Sequence, residues 1–311
     1  MPNSIALAAK YLPLLDEVYK KAARTVGLDT TNGVEFINAN TAKVFKMALD
    51  GLGDYARNAG YVAGSETATW ETITLDYDRG RSFQIDTMDD EESINLAFGK
   101  LASEFLRTRV TPEIDATRFA KYAIKAGTKV GADLSTSANT IAAIDTAEQV
   151  LGDAEVPDEG RILYVSETVY KLIKGGITRM LKNETTVQRA VEVFDGMEVV
   201  KVPVKRFCVN TSLTTTGIDL FDGTTSGETG GGYEFAASNS YPINFMIVHP
   251  SAVVQLVKHA PLKVISPEAN QDADAWKFGY RVYHTCNVFE NKTEGVYLHR
   301  AATALATKIN G

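Results

Sequence analysis

Four histidines, two cysteines, one acidic cluster and one glycine run are the residues of this chain best suited to chemistry. Gly227-Glu-Thr-Gly-Gly-Gly232 has the composition of a phosphate-cradling loop, in which bare backbone approaches an anion closely. No Lys-Ser or Lys-Thr follows it, and no strand-to-helix junction with GxGxxG spacing frames it, so it reads as a flexible loop. Asp86, Asp89, Asp90, Glu91 and Glu92 offer oxygens to a hard cation. They lack EF-hand spacing and its glycine, and read instead as the acidic start of a helix, where carboxylates offset the helix dipole. His249, His259, His284 and His299 show no HExxH or HxH spacing and read as surface or turn residues. Cys208 and Cys286 lie far apart in apolar, strand-like contexts, without CxxC spacing, and read as packed free thiols of a reducing compartment. There is no GxSxG elbow. No catalytic, metal-ligating or cofactor-binding residue is assigned, no cofactor is expected, and an enzyme is the weaker class of reading.

The elements that would have to position any such residue are ordinary in composition. The 311 residues are 44% hydrophobic and 23% charged, enough for one large domain or two smaller ones. A net charge of −7 argues against a protein that grips nucleic acid through its phosphates, which takes clustered Lys and Arg. No apolar run approaches the roughly 20 residues of a membrane span, and no apolar signal core follows the Met1-Pro2 start, so a soluble cytoplasmic protein is expected.

Along the chain, Leu15, Val18, Tyr19 and Ala22 recur at helical spacing after Pro13 and predict a short helix with one apolar face. Residues 68–88 alternate with period two and predict a hairpin, with Asp78-Arg-Gly80 as its turn. Ile94, Ala97, Phe98, Leu101, Phe105 and Leu106 mark a long helix that Thr111-Pro112 breaks or kinks before it continues to Gly127. From 138 onward the pattern predicts a compact α+β unit. It has helices at 138–151 and 166–174, strands at 161–165, 198–204 and 245–248, a long mobile loop at 211–240, and a helix at 252–259. Trp276 to His299 predicts a closing β-hairpin turning at Asn291 to Gly295.

Arm, extended hairpin, long helix, α+β domain and returning strands, in that order, resemble the major capsid proteins of tailed bacteriophages with the Hong Kong 97-type fold. The residues that carry the resemblance are Ile114-Asp115 after the kink, Phe245-Met-Ile-Val-His-Pro250, Trp276 to Tyr283, Asn287-Val-Phe289 and Gly295-Val-Tyr297. The resemblance implies an α+β phage major capsid fold with an N-terminal arm at 1–60 and an extended loop at 61–92. A peripheral domain with its spine helix would occupy 93–137, an axial domain 138–250, and a return to the peripheral domain 251–311. It implies a structural protein, not an enzyme, that self-assembles as hexamers and pentamers into an icosahedral shell. That shell encloses double-stranded DNA without sequence-specific binding or membrane, in the virion and, during assembly, in the host cytoplasm. An encapsulin-like nanocompartment shell is the alternative on the same fold. A separate scaffolding protein, a portal and decoration proteins are the implied partners, and the absence of Lys from 61–92 argues against a cross-linked shell.

Trp70, Ile73, Leu75, Phe83 and Ile85 on the predicted hairpin, Arg79 and Arg81 at its tip, and Leu15 and Tyr19 on the arm are the candidate subunit contacts. Deleting 68–88 is expected to leave a folded subunit that cannot close a shell.

Overall fold

The computed structural model describes residues 23–28, 35–36, 41–55, 57–58, 60–88, 103–176, 181–182, 186–187, 191–224, 230–259 and 263–311. The predicted arm helix with Leu15 and Tyr19, the first ten residues of the predicted long helix and most of the acidic cluster lie outside these residues.

In chain order the principal elements are β1 (Thr41–Leu49), β2 (Glu66–Thr74), β3 (Tyr77–Asp86), α1 (Thr111–Lys125), α2 (Ser137–Asp153), β4 (Ile162–Ser166), α3 (Glu167–Gly176), β5 (Met197–Val202), β6 (Asp219–Phe221), β7 (Gly232–Phe235), β8 (Ser240–Val248), β9 (Val253–His259), β10 (Ala275–Val288) and β11 (Val296–Arg300). A seven-stranded sheet runs Thr128–Gly131, β11, β8, β4, β5 and Val193–Phe194, with Cys208–Asn210 beside β8. β4 and β5 are parallel and α3 lies in the crossover between them, as parallel neighbours require. Strand alternation divides the core in two. Leu163, Val165, Phe245 and Ile247 face α2 and α3, while Ile162, Tyr164, Met246 and Val248 face Phe119 and Tyr122 of α1.

A second sheet is built on β10, which pairs with β9 and Lys263–Ile265 on one side and with β3 on the other. A third is the hairpin of β1 and β2, in register from Thr41 opposite Thr74 to Leu49 opposite Glu66. β6, β7 and Ile309–Asn310 form a small sheet over α1.

Four sequence expectations are corrected by the fold. The stretch 68–88 is not a hairpin: β2 pairs with β1 and β3 with β10 over ten residues, so the Leu75-Asp76 step passes the chain from one sheet to another. Asp78-Arg-Gly80 lies inside β3. Gly80 is needed because a Cβ there would sit 2.8 Å from the Tyr280 carbonyl oxygen of β10, and Asp78 is bonded across the sheet by Arg281. The pair β10 and β11 is likewise no hairpin. β11 is sandwiched between β8 and Thr128–Gly131 and buried on both faces, a central-strand position that a partner of β10 could not occupy. Gly295 marks that crossing, since a Cβ there would lie 2.5 Å from the Ala252 Cβ. Residues 253–259 are a strand. The spacing of Val253, Val254, Leu256 and Val257 fits a helix or a strand, and sheet packing decides: Val254 and Leu256 face the β1–β2 base, and Val253 faces the main core. The 211–240 segment, expected as one long loop, also contributes β6 and β7.

The kink at Thr111-Pro112 takes a specific form. Residues 103–125 stay helical through a π-helical turn at Leu106–Val110, in which the Thr111 N–H and hydroxyl both reach the Leu106 carbonyl, five residues back. Pro112 has no N–H to donate and its ring crowds the preceding turn, so widening the helix by one residue relieves both problems.

On α2, Glu148 faces Asp195, in the turn before β5. Burial first, and then the neighbouring Asp195 carboxyl, push Glu148 up to about 7. The folded chain therefore holds a proton that the unfolded chain releases near 4.5, so this group's contribution to stability falls as pH rises from 4.5 to about 7. Glu148→Gln is expected to raise unfolding free energy at pH 8 by about 1 kcal/mol, a modest value because the side chain keeps solvent contact. The gain should shrink toward zero at pH 4.5, and urea unfolding at the two pH values checks it.

Candidate subunit interface

The β1–β2 hairpin is anchored at one end and bare at the other. At its base, Ala42 and Ile73 pack on Val254, Leu256 and Phe289. Lys46 is ion-paired with Glu290, whose N–H donates to the carboxylate of the buried Glu71 at 3.3 Å, and burial raises the Glu71 carboxyl above its ordinary range. Tyr283 donates to the Leu75 carbonyl at 3.1 Å, and Lys121 of α1 donates to Asp76 at 2.8 Å, fixing the corner where the chain leaves the hairpin. Beyond this base the character changes. From Met47 to Trp70 every described residue except Gly60 is exposed. Phe45, Met47, Leu49 and Trp70 share one face, Phe45 and Trp70 in edge contact at 5.2 Å, and the tip carries Leu52, Tyr55, Tyr61 and Val62. Single exposed apolar residues are common, but eight on one ribbon make it a candidate contact surface.

The sequence candidates divide on this geometry. Trp70 is 55% exposed and stands on the bare face. Ile73 is buried in the chain's own hairpin base, and Leu75 is buried at the end of that strand. Phe83 packs on Phe105 at 4.8 Å and Phe278 at 6.5 Å, and Ile85 is half-buried on β3. Arg79 and Arg81 are not at a hairpin tip. Arg79 is ion-paired with Glu113 of α1 at 2.7 Å and also donates to the carbonyls of Phe221 and Gly232, while Arg81 donates to the Gly230 and Asp222 carbonyls. Phe45, Met47, Leu49 and the tip residues were missed because the turn residues at 78–80 drew the hairpin to the wrong strands. Period-two alternation across 41–49 was the available signal. The paired hairpin also carries Lys43 and Lys46, so the lack of lysine in 61–92 says nothing about it.

The residues considered first for chemistry are held in the fold. Cys208 and Cys286 are free and buried, and burial pushes their thiols up to about 12 and about 11, leaving them protonated and inert at neutral pH. His284 and His299, expected at the surface, are buried and stacked on Tyr77 and Phe245. His249 caps the turn at Ser251. Among the described residues no group of His, Cys, Asp and Glu could hold a metal ion, and no helix is long and apolar enough to cross a membrane.

A polar knot lies under α1. Asp115, fully buried, accepts from the Arg24 N–H at 2.9 Å, the Thr25 hydroxyl at 2.8 Å and Arg206 at 3.2 Å. Arg118, also fully buried, donates to the same Thr25 hydroxyl at 2.7 Å, and Gln255 donates to the Thr25 carbonyl. The segment 23–28 is thereby tied to α1, with Leu28 in the main core.

No family model matches the sequence, and no curated protein matches it. Solved structures do. One from Mycobacterium phage Che8 superposes with a TM-score of 0.57 at 16% identity, covering 84% of this chain and 85% of that one. The asymmetric unit of the bacteriophage PhiM1 mature capsid gives 0.54 at 14% identity, with 85% and 83% covered. The capsid of the cyanophage P-SCSP1u gives 0.53 at 13%, with 86% and 85% covered. The likeness covers more than four fifths of the chain in each case, and the chain has the α+β fold of these phage capsid structures.

Proposed function

We propose that this chain is the major capsid subunit of a tailed phage, assembling as hexamers and pentamers into an icosahedral shell around DNA. The observation that carries the reading is the bare β1–β2 hairpin: a fold shared with phage capsid structures sends out a ribbon whose apolar face finds no partner in its own chain. In this reading the hairpin at 41–74 is the extended loop, 103–125 belongs to the spine helix, the sheet under α2 and α3 is the axial domain, and the β10 sheet is peripheral. Its role is mechanical, with no catalytic step. Apolar burial at about 25 cal/mol per Å², repeated at every subunit contact, stabilises a shell from many individually weak interfaces. The acidic balance suits an inner wall that confines DNA without gripping it. Scaffolding, portal and decoration proteins are its proposed partners.

Negative-stain microscopy of the purified full chain, expressed alone and with its phage's other assembly genes, tests this. Closed shells of uniform size are expected, holding nucleic acid when made during infection. Small discrete oligomers at every concentration would overturn the reading, and shells filled with a cargo enzyme would redirect it to a nanocompartment.

A further inference from the structure

The seven-stranded sheet ends on a very short strand. Val193–Phe194 meets β5 at two residue pairs, Phe194 opposite Met197 and Val193 opposite Glu198. It turns into β5 through Asp195 and Gly196, at φ values of 48° and 80°, a two-residue hairpin turn that suits an Asp-Gly pair. The Val199 N–H donates to the Glu192 carbonyl at 2.9 Å, and the Val191 N–H to the Tyr170 hydroxyl of α3 at 2.9 Å. Phe194 packs against the core cluster that includes Ala147 and Leu151 of α2. So little pairing is marginal by itself, and what faces the strand decides whether it stays.

Glu148 of α2 faces the turn, its side chain in hydrogen-bond contact with that of Asp195. Two carboxyl groups in such contact share a proton, because with both ionised neither has a hydrogen to donate. The Glu148 Oε1 is shielded from solvent and has no hydrogen-bond partner among the described residues. Asp145, one turn earlier on α2, adds negative charge. Arg161, the cation that acts on Glu148 from the start of β4, is already committed. It is buried, donates to the Val156 and Pro157 carbonyls at 2.6 and 3.0 Å, and is ion-paired with Asp158 at 2.7 Å. We propose that the Glu148–Asp195 contact is a proton-operated latch on the sheet edge: the shared proton holds the turn to α2, and its loss parts the carboxylates and frees Val193–Phe194 from β5. Burial first, and then Asp195, push Glu148 up to about 7, so the latch is closed below that pH and opens as the pH rises through it. Opening bares the backbone of β5 from Met197 to Val199, an edge able to pair with another strand.

Hydrogen exchange on the full chain at pH 6 and pH 8, with intrinsic rates divided out, tests the latch. Protection of the Val191 and Val199 amides should fall about tenfold at the higher pH, while Leu163 of β4 and Ile247 of β8 keep theirs. Glu148→Gln is uncharged at both pH values and still able to donate to Asp195, so it should hold the pH 6 protection at pH 8. Asp195→Asn suits the same turn and gives Glu148 a neutral partner, so the loss should shrink. An undiminished loss in either variant would overturn the latch, since burial of Glu148 alone or an unrelated group would then be responsible. So would protection at 191–199 that is independent of pH in the parent, or a loss shared equally by Leu163 and Ile247, which would mark softening of the whole sheet.

Discussion

Deleting Leu52 to Ala63 is expected to abolish closed shells while leaving the subunit as stable as the parent. The deletion joins Gly51 to Gly64 between Asp50 and Ser65, which already face each other: the Asp50 N–H donates to the Ser65 carbonyl at 3.2 Å, and the Ser65 N–H to the Asp50 carboxylate at 2.6 Å. A Gly-Gly pair adopts the positive φ values of a two-residue hairpin turn, so β1 and β2 keep their register. The large apolar residues removed, Leu52, Tyr55, Tyr61 and Val62, are all exposed, so the core loses nothing. The shorter loop costs less closure entropy, and unfolding free energy should stay within about 0.5 kcal/mol of the parent. Denaturant unfolding and microscopy on the same preparation decide it. Normal shells from the deleted chain would remove the hairpin tip from assembly altogether.

The deletion suggested by sequence alone, 68–88, would fail for a different reason. It would remove β3, which pairs with β10 over ten residues and carries Phe83 into an aromatic cluster. Loss of shells would then report unfolding. The difference turns on Gly80: in a linear sequence a glycine after Asp-Arg reads as a turn, whereas here it lets two strands approach until a Cβ would touch the Tyr280 carbonyl. Sequence reveals that a position cannot tolerate a side chain. It does not say whether a turn or a neighbouring backbone is the cause.

The elements legible beforehand were those whose pattern is local. α2 at Ser137–Asp153 carries a Thr136 cap accepting from the Asn139 N–H, and β4 at Ile162–Ser166 is apolar on both faces before Ser166, whose hydroxyl accepts from the Val169 N–H at the start of α3. Strand pairing was not legible, because β10 meets β3 some 200 positions away and local alternation says nothing about a partner at that distance. The exposed apolar face was half legible. Trp70 was singled out from its own strand, while Phe45 and Met47 lay in a segment read as arm.

Asp115 shows the same limit and supports the second large effect. Its place in Ile114-Asp115 carried resemblance without a reason. The structure supplies one: the carboxylate is fully buried, bonded by Arg206, Thr25 and the Arg24 N–H, and linked through the Thr25 hydroxyl to the buried Arg118. Two guanidinium groups thus lie at one carboxylate, Arg118 fully buried and reached through Thr25, Arg206 bonded directly and 18% exposed. Asp115→Ala would leave that charge uncompensated, and removing one partner of a buried ionic group costs about 3–5 kcal/mol, a large share of a domain's stability. Asp115→Asn, which keeps an acceptor for Thr25 but loses the charge, should fall between the two. Hydrogen exchange separates a local from a global loss: if the knot ties the 23–28 segment to α1, amides 24–28 should lose protection in Asp115→Asn well before β4 and β8 do. Equal loss across all of them would mean that Asp115 supports the whole core and that the strap has no separate hold. Unchanged stability in Asp115→Ala would show that the arginines do not need this carboxylate.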